Sequence, residues 1–294
     1  MFDDTDRSRL ENTAPVYCLL DDLGFRTTKS VWPIKGNRRP LIPGATCEDA
    51  NYRAWTLKLQ ARGFEIGFHN ATFHSSVRAQ THRALVTFRQ IYGHDPYVGA
   101  NHATNEEGLY WGRHRLSGRR ALLYSALHGF RGRHFFRGHI PGDKFFWGDL
   151  CHERIHYYRN FVFHDINSLK QCPMMPYHDA HRPFVRQWFA SSEGADVNSY
   201  CDMLCEANQD RLEAEGGLCI MFTHFGKGFY QHGQLDKRFV TLMTRLAKKG
   251  GWRAPTGAVL DHVRQHRGEH TITASERTAL ERRWLLDKVT AARR

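Results

Sequence analysis

The 294-residue chain predicts an α/β fold in which parallel strands alternate with helices. Three observations lead there. Short apolar runs of strand length recur at intervals. Segments with helical spacing of apolar residues separate them, several ending at glycine. Chemically reactive side chains collect just after the runs, where parallel-strand enzymes carry their sites.

The expected strands are VYCLL (16–20), FEIGF (64–68), YVGAN (97–101) and LCIMF (218–222). Between them, AWTLKLQARG (54–63) and SVRAQTHRALVTFRQIYG (76–93) have helical spacing and close at Gly63 and Gly93. Strand, helix, strand, helix argues for a parallel sheet or a barrel. Two later segments, LDKRFVTLMTRLAKKGG and APTGAVLDHVRQHRG, continue the helices, and a terminal amphipathic helix is expected at about 274–294. The stretch from about 113 to 200 is dense in His, Arg, Phe and Tyr with weak periodicity, and its elements are not assigned. Without a Pro/Gly/Ser linker, one domain is expected over 1–294, with its core at about 14–266.

Composition narrows the class. Apolar residues make up 41% and aromatics 13%, enough for a buried core and too many for a disordered chain. The formal net charge of +12 is largely arginine, densest at RHRLSGRR, RGRHFFRGH and the terminal AARR. No recognisable nucleic-acid module carries these clusters, so a nucleic-acid partner is not expected. The seven cysteines contain no C-x-x-C pair, which suggests reduced thiols. The N-terminal stretch is polar and acidic, and no window reaches the roughly 18 apolar residues of a membrane span. A cytoplasmic protein without a transmembrane segment is expected; its oligomeric state is not legible.

The reactive groups at the run ends form a constellation. Asp21 and Asp22 follow the first run, where two adjacent carboxylates repel each other and gain nothing structurally. His69 closes the second run and His74 lies five residues on; Asn101 and His102 close the third; His224 follows the fourth. One carboxylate and two imidazoles suit a divalent metal with open positions, zinc first, with iron, cobalt, nickel or manganese also accepted. A metal lowers the pKa of water from about 16 to about 7, and a second carboxylate beside it can take the proton. A histidine at the late strand end can protonate a leaving amine. Gly226 and Gly228 would let that loop pass close to a ligand.

These pieces resemble the polysaccharide deacetylase family (carbohydrate esterase family 4, the chitooligosaccharide deacetylase homology domain). The Asp-Asp pair is similar to its first motif, GFEIGFHNATFH to its second, LCIMFTHFG to its fifth, and GGWRAPTGAVLDHV to its closing strand and helix. The resemblance implies a distorted (β/α) barrel of the polysaccharide deacetylase type. It implies Asp21 as base, Asp22, His69 and His74 as metal ligands and His224 as acid. The family's second His normally follows after four residues, against five here. Its third motif carries an arginine that holds the base; DPYVGANHATNEEGLYWG has none, and Asn101 and His102 are the candidates to replace it. Trp111, Trp147, Asp149 and Arg182 are further candidates to bind substrate, with His178 and Asp179 near the last of them.

The implied activity is a metal-dependent deacetylase, a hydrolase removing an acyl group, acetyl first, from an N-acylated amino sugar. The implied substrate is a precursor of a surface polysaccharide, nucleotide-linked or lipid-linked, with the arginines serving a phosphate-bearing carrier. Three rivals remain: a hydrolase of a non-sugar C–N bond on the same scaffold, a catalytically inactive glycan-binding barrel, and an iron oxygenase that uses the carboxylate and two histidines as its triad.

Overall fold

The computed structural model describes residues 1–127, 129–130 and 135–291. The basic stretches 131–134 and 292–294, counted above among the arginine-dense places, lie outside the described residues. Seven parallel strands form the central sheet: β1 (Phe2–Asp3), β2 (Thr28–Val31), β3 (Glu65–Phe68), β4 (Val98–Gly99), β5 (Tyr157–Phe163), β6 (Gln187–Ser192) and β7 (Phe222–Thr223). Their order is β6-β5-β4-β3-β2-β1-β7. A parallel bridge between Ser192 and Met221 draws the two ends together, and Ser192 N–H donates to Ile220 O at 2.9 Å. The sheet is thereby a nearly closed α/β barrel surrounded by helices.

The helices are α1 (Leu10–Asp22), α2 (Ala50–Ala61), α3 (Arg78–Tyr92), α4 (Gly118–Leu127), α5 (Gly148–Arg154), α6 (Ser168–Gln171), α7 (Val197–Met203), α8 (Glu206–Ala214), α9 (Lys237–Ala247), α10 (Thr256–Arg267) and α11 (Ala274–Ala291). A hairpin, β8 (Tyr230–Gln231) with β9 (Gln234–Leu235), lies outside the barrel sheet. Local chemistry explains the boundaries. Asp49 caps α2 by accepting from the N–H groups of Asn51 and Tyr52. The stripe Thr81, Ala84, Leu85, Phe88 and Tyr92 buries one face of α3, which ends at Gly93 with φ +81°. No helix among the described residues is long and apolar enough to cross a membrane.

One expected element is corrected. The run 16–20 is not a strand but the second half of α1. Its buried residues are Thr13, Val16, Tyr17 and Leu20, a helical i, i+3, i+4, i+7 set, while Cys18 is exposed. The first strand is instead β1, at the very start of the sequence. Phe2 pairs with Thr28 on one side and Phe222 on the other. The unassigned stretch holds two further barrel strands, β5 and β6, every residue of which is buried.

Candidate metal centre

Moving the first strand to Phe2–Asp3 changes which carboxylates stand at the carboxyl end of the barrel. β1 runs directly into Asp4, Thr5 and Asp6; β3 into His69; β4, after two residues, into His102; β7 into His224. The parallel register brings these four strand ends together. Asp6 is the hub. Its Oδ1 lies 3.2 Å from His69 Nε2 and 3.4 Å from His102 Nε2, and its Oδ2 lies 3.3 Å from His224 Nε2 and 3.8 Å from Lys227 Nζ. Ligand atoms of Asp6, His69 and His102 all fall within 4.8 Å of one another. The three residues are 3%, 1% and 0% exposed, so little water screens them. Trp32, fully buried, stacks on His69 and meets His102 edge-on.

The hydrogen bonds around His102 determine which of its nitrogens is bare. Asn105 Nδ2 donates to Thr72 O at 2.9 Å and to Glu107 Oε1 at 2.8 Å, so Asn105 Oδ1 is an acceptor. That oxygen faces His102 Nδ1 at 2.9 Å, which places the imidazole proton on Nδ1. Burial lowers the pKa of His102 despite the Asp6 charge beside it, so the ring is neutral and its Nε2 carries a lone pair. That lone pair points toward the Asp6 carboxylate, and Nε2 has no hydrogen-bond partner. Two acceptors at 3.4 Å repel unless a cation lies between them. His69 Nδ1 is likewise unpartnered, 3.7 Å from Asp4 Oδ1. A cation among the Nε2 atoms and Asp6 would take the His69 Nε2 lone pair and leave that ring's proton on Nδ1, toward Asp4. One carboxylate and two imidazoles, with a supporting shell that fixes the tautomer, fit a divalent metal.

The neighbouring charges are ordered. Arg159 of β5 grips Asp4 through two bonds, at 3.1 and 2.5 Å. Burial would raise the Asp4 carboxyl, but Arg159 and His69 hold it below its ordinary value. For Asp6, too, burial works upward, and hydrogen bonds from His224 and His69 hold the carboxyl well below the usual range. Asp3 is used structurally: it accepts from Lys29 Nζ at 2.9 Å, Tyr17 O–H at 3.1 Å and Phe225 N–H at 2.8 Å, tying β1 to α1 and to the loop after β7. His224 donates Nδ1–H to Ala195 O at 2.6 Å, which leaves its Nε2 toward Asp6. Gly226 is needed here because a Cβ would stand 2.5 Å from Arg7 C, just beyond Asp6.

Of the ligands expected from the sequence, His69 lies in the cluster, and Asp22 and His74 do not. Asp22 is exposed at the end of α1. Asp21, expected as the base, instead bridges Arg26 at 2.8 Å and Arg62 at 2.6 Å on the outside of the barrel. Both nitrogens of His74 are occupied, Nδ1 by Ser75 O at 2.9 Å and Nε2 by Asn37 N–H at 3.0 Å. His102, expected to bind substrate, instead joins Asp6 and His69 in the candidate metal cluster. The other candidates have structural partners. Asn101 clamps Leu109 through both its backbone groups. Trp147 is buried and donates to Glu107 O. Trp111 carries the Arg115 guanidinium on its ring. Asp149 pairs with Arg78 on the surface, and Arg182 is bound to Asp179 and Glu281 inside the protein. Arg159, which binds Asp4, comes from a strand the sequence did not reveal. The signal for Asp4 and Asp6 was present as MFDDTD, with too few residues before it to display any periodicity.

No family model matches the chain, and no curated protein matches it. Among solved structures it is similar to the crystal structure of Puue allantoinase, at 13% identity, covering 93% of this chain and 72% of that chain, with a TM-score of 0.40.

Proposed function

We propose that this barrel is a metal-dependent hydrolase of a carbon–nitrogen bond, acting on a small N-acylated amino sugar. The observation that carries this reading is the buried set Asp6, His69 and His102, with the bare His102 Nε2 facing a carboxylate and with His224 and Asp4 beside it. Those three residues would hold a divalent metal, which would supply Lewis acidity toward an acyl oxygen and lower the pKa of water. Asp4, kept ionised by Arg159, accepts the proton of the attacking water. His224, its Nδ1 fixed on Ala195 O, offers Nε2 to carry a proton to the leaving nitrogen. The water oxygen joins the acyl carbon, the C–N bond breaks, and the nitrogen leaves as an amine. Lys227, partly exposed, lies 3.8 Å from Asp6.

The amino-sugar assignment draws on the resemblance of GFEIGFH and FTHFG to the deacetylase motifs. The same candidate ligands with His224 beside them equally suit a non-sugar amide, the second reading. The test is acetate or amine release by the metal-loaded protein from N-acetylated monosaccharides, their nucleotide conjugates and small amides. Turnover that Asp6→Ala abolishes is expected. Asp4→Asn should lower kcat with metal still bound. Absence of turnover across the panel in a protein shown to carry metal would refute the reading.

A further inference from the structure

A polar cavity of about 240 Å³ shares no residue with the candidate metal cluster. We propose that this cavity, bounded by Tyr110, Arg113, Ser117, His139, His181 and Arg182, binds a phosphate group.

Its charge is unbalanced. No carboxylate lines it. In the surrounding wall, Asp179 and Glu281 are the carboxylates, and they are already shared among Arg120, Arg182 and Arg277. Arg113 and Arg115 are left over. Arg115 is buried against Trp111 and Trp284, with Nε unpartnered. Arg113 has no ion pair among the described residues, and its Nη1 is shut off from water without a hydrogen-bond partner. Five guanidiniums around two carboxylates leave a positive surplus in a partly desolvated place, which is costly unless an anion completes it. His139 adds no charge: its Nδ1 accepts from Tyr110 N–H at 3.2 Å, and burial together with His114 and Arg182 pushes its pKa down to about 3. The guanidinium fork of Arg113 and the exposed His181 are then the free donors at the cavity, and a guanidinium matches the oxygens of a phosphate.

The test is calorimetric titration with sodium phosphate at constant ionic strength. Binding by the wild type should weaken about tenfold or more in Arg113→Gln, the loss of a charge-assisted contact. His181→Ala should weaken it as well. Arg113 has no ion pair among the described residues, so the variant's unfolding midpoint without phosphate should match the wild type. Equal phosphate affinity in wild type and Arg113→Gln would overturn the proposal by placing the anion elsewhere, the metal cluster included. Equal affinity for acetate would overturn the phosphate assignment, and so would a wild type that takes up no phosphate. Co-sedimentation with phosphatidylcholine vesicles, with and without phosphatidic acid, separates the two carriers of this group. Arg113-dependent sedimentation on phosphatidic acid supports a lipid headgroup, and binding of phosphate without sedimentation supports a soluble phosphate compound.

Discussion

Two pairs of adjacent aspartates, Asp3–Asp4 and Asp21–Asp22, occupy opposite environments in this chain. The first pair leaves a barrel strand and is wholly buried, with Lys29 and Arg159 as counter-ions. The second ends a helix on the surface, where the carbonyl end of the helix dipole disfavours anions and Arg26 and Arg62 offset the charge of Asp21. The same dipeptide thus borders the candidate metal cluster in one place and forms a surface ion pair in the other. The difference lies in desolvation: a buried carboxylate must be matched by cations or by a metal, and a surface one is matched by water.

The largest contrast between the two places should be in metal binding. Equilibrium dialysis with zinc should show one tight site in the wild type, loss of it in Asp6→Ala and His102→Ala, and full retention in Asp22→Ala. Retention in His102→Ala would break the comparison. Next in size is stability. Arg159→Ala strands the buried Asp4 and should cost about 3–5 kcal/mol in urea unfolding. Arg62→Ala, which removes one surface partner of Asp21, should cost less than about 1 kcal/mol.

Glu107, which holds Asn105 behind His102, sharpens the comparison through pH. Burial raises its carboxyl to about 8, against hydrogen bonds from Ser76 and Asn105 that pull it down. A raised carboxyl contributes stability in full below its unfolded value of about 4.3 and loses that contribution as pH climbs to about 8. Glu107→Gln should remove that slope, on the order of 4 kcal/mol between pH 4.5 and 8, as read from unfolding at several pH values. The smallest effect belongs to the surface pair: Asp22→Asn should change stability by no more than about 0.5 kcal/mol and leave metal affinity unaltered.

How much of this could be seen in the sequence depends on element length. FEIGF and SVRAQTHRALVTFRQIYG are long enough for their pattern to show, and β3 and α3 lie there, with Gly93 in the expected left-handed turn. His69 and His224 were found because each follows such a run. The apolar run 16–20 misled because five contiguous apolar residues fit a buried strand as well as a helix; the buried Thr13, one turn earlier, resolves it, but Thr is not counted as apolar. β1 has two residues and carries no periodicity, whereas β4, equally short, lies within the expected run YVGAN. Arg159 was hidden within YYRNFVF, because a guanidinium inside a buried strand is unexpected until its partner Asp4 is known.

By itself, then, the sequence determined the alternation of strands and helices, the histidines at the strand ends and a metal-suited chemistry, since these depend on local pattern and side-chain type. Tertiary structure alone decided which carboxylates join them. Parallel pairing of β1 between β2 and β7 carries Asp4 and Asp6 to the histidines, and packing of α1 against the outside of the barrel leaves Asp21 and Asp22 facing water. The physical reason is that a metal site is a meeting of strand ends far apart in sequence, and strand pairing is a long-range choice that no local window contains.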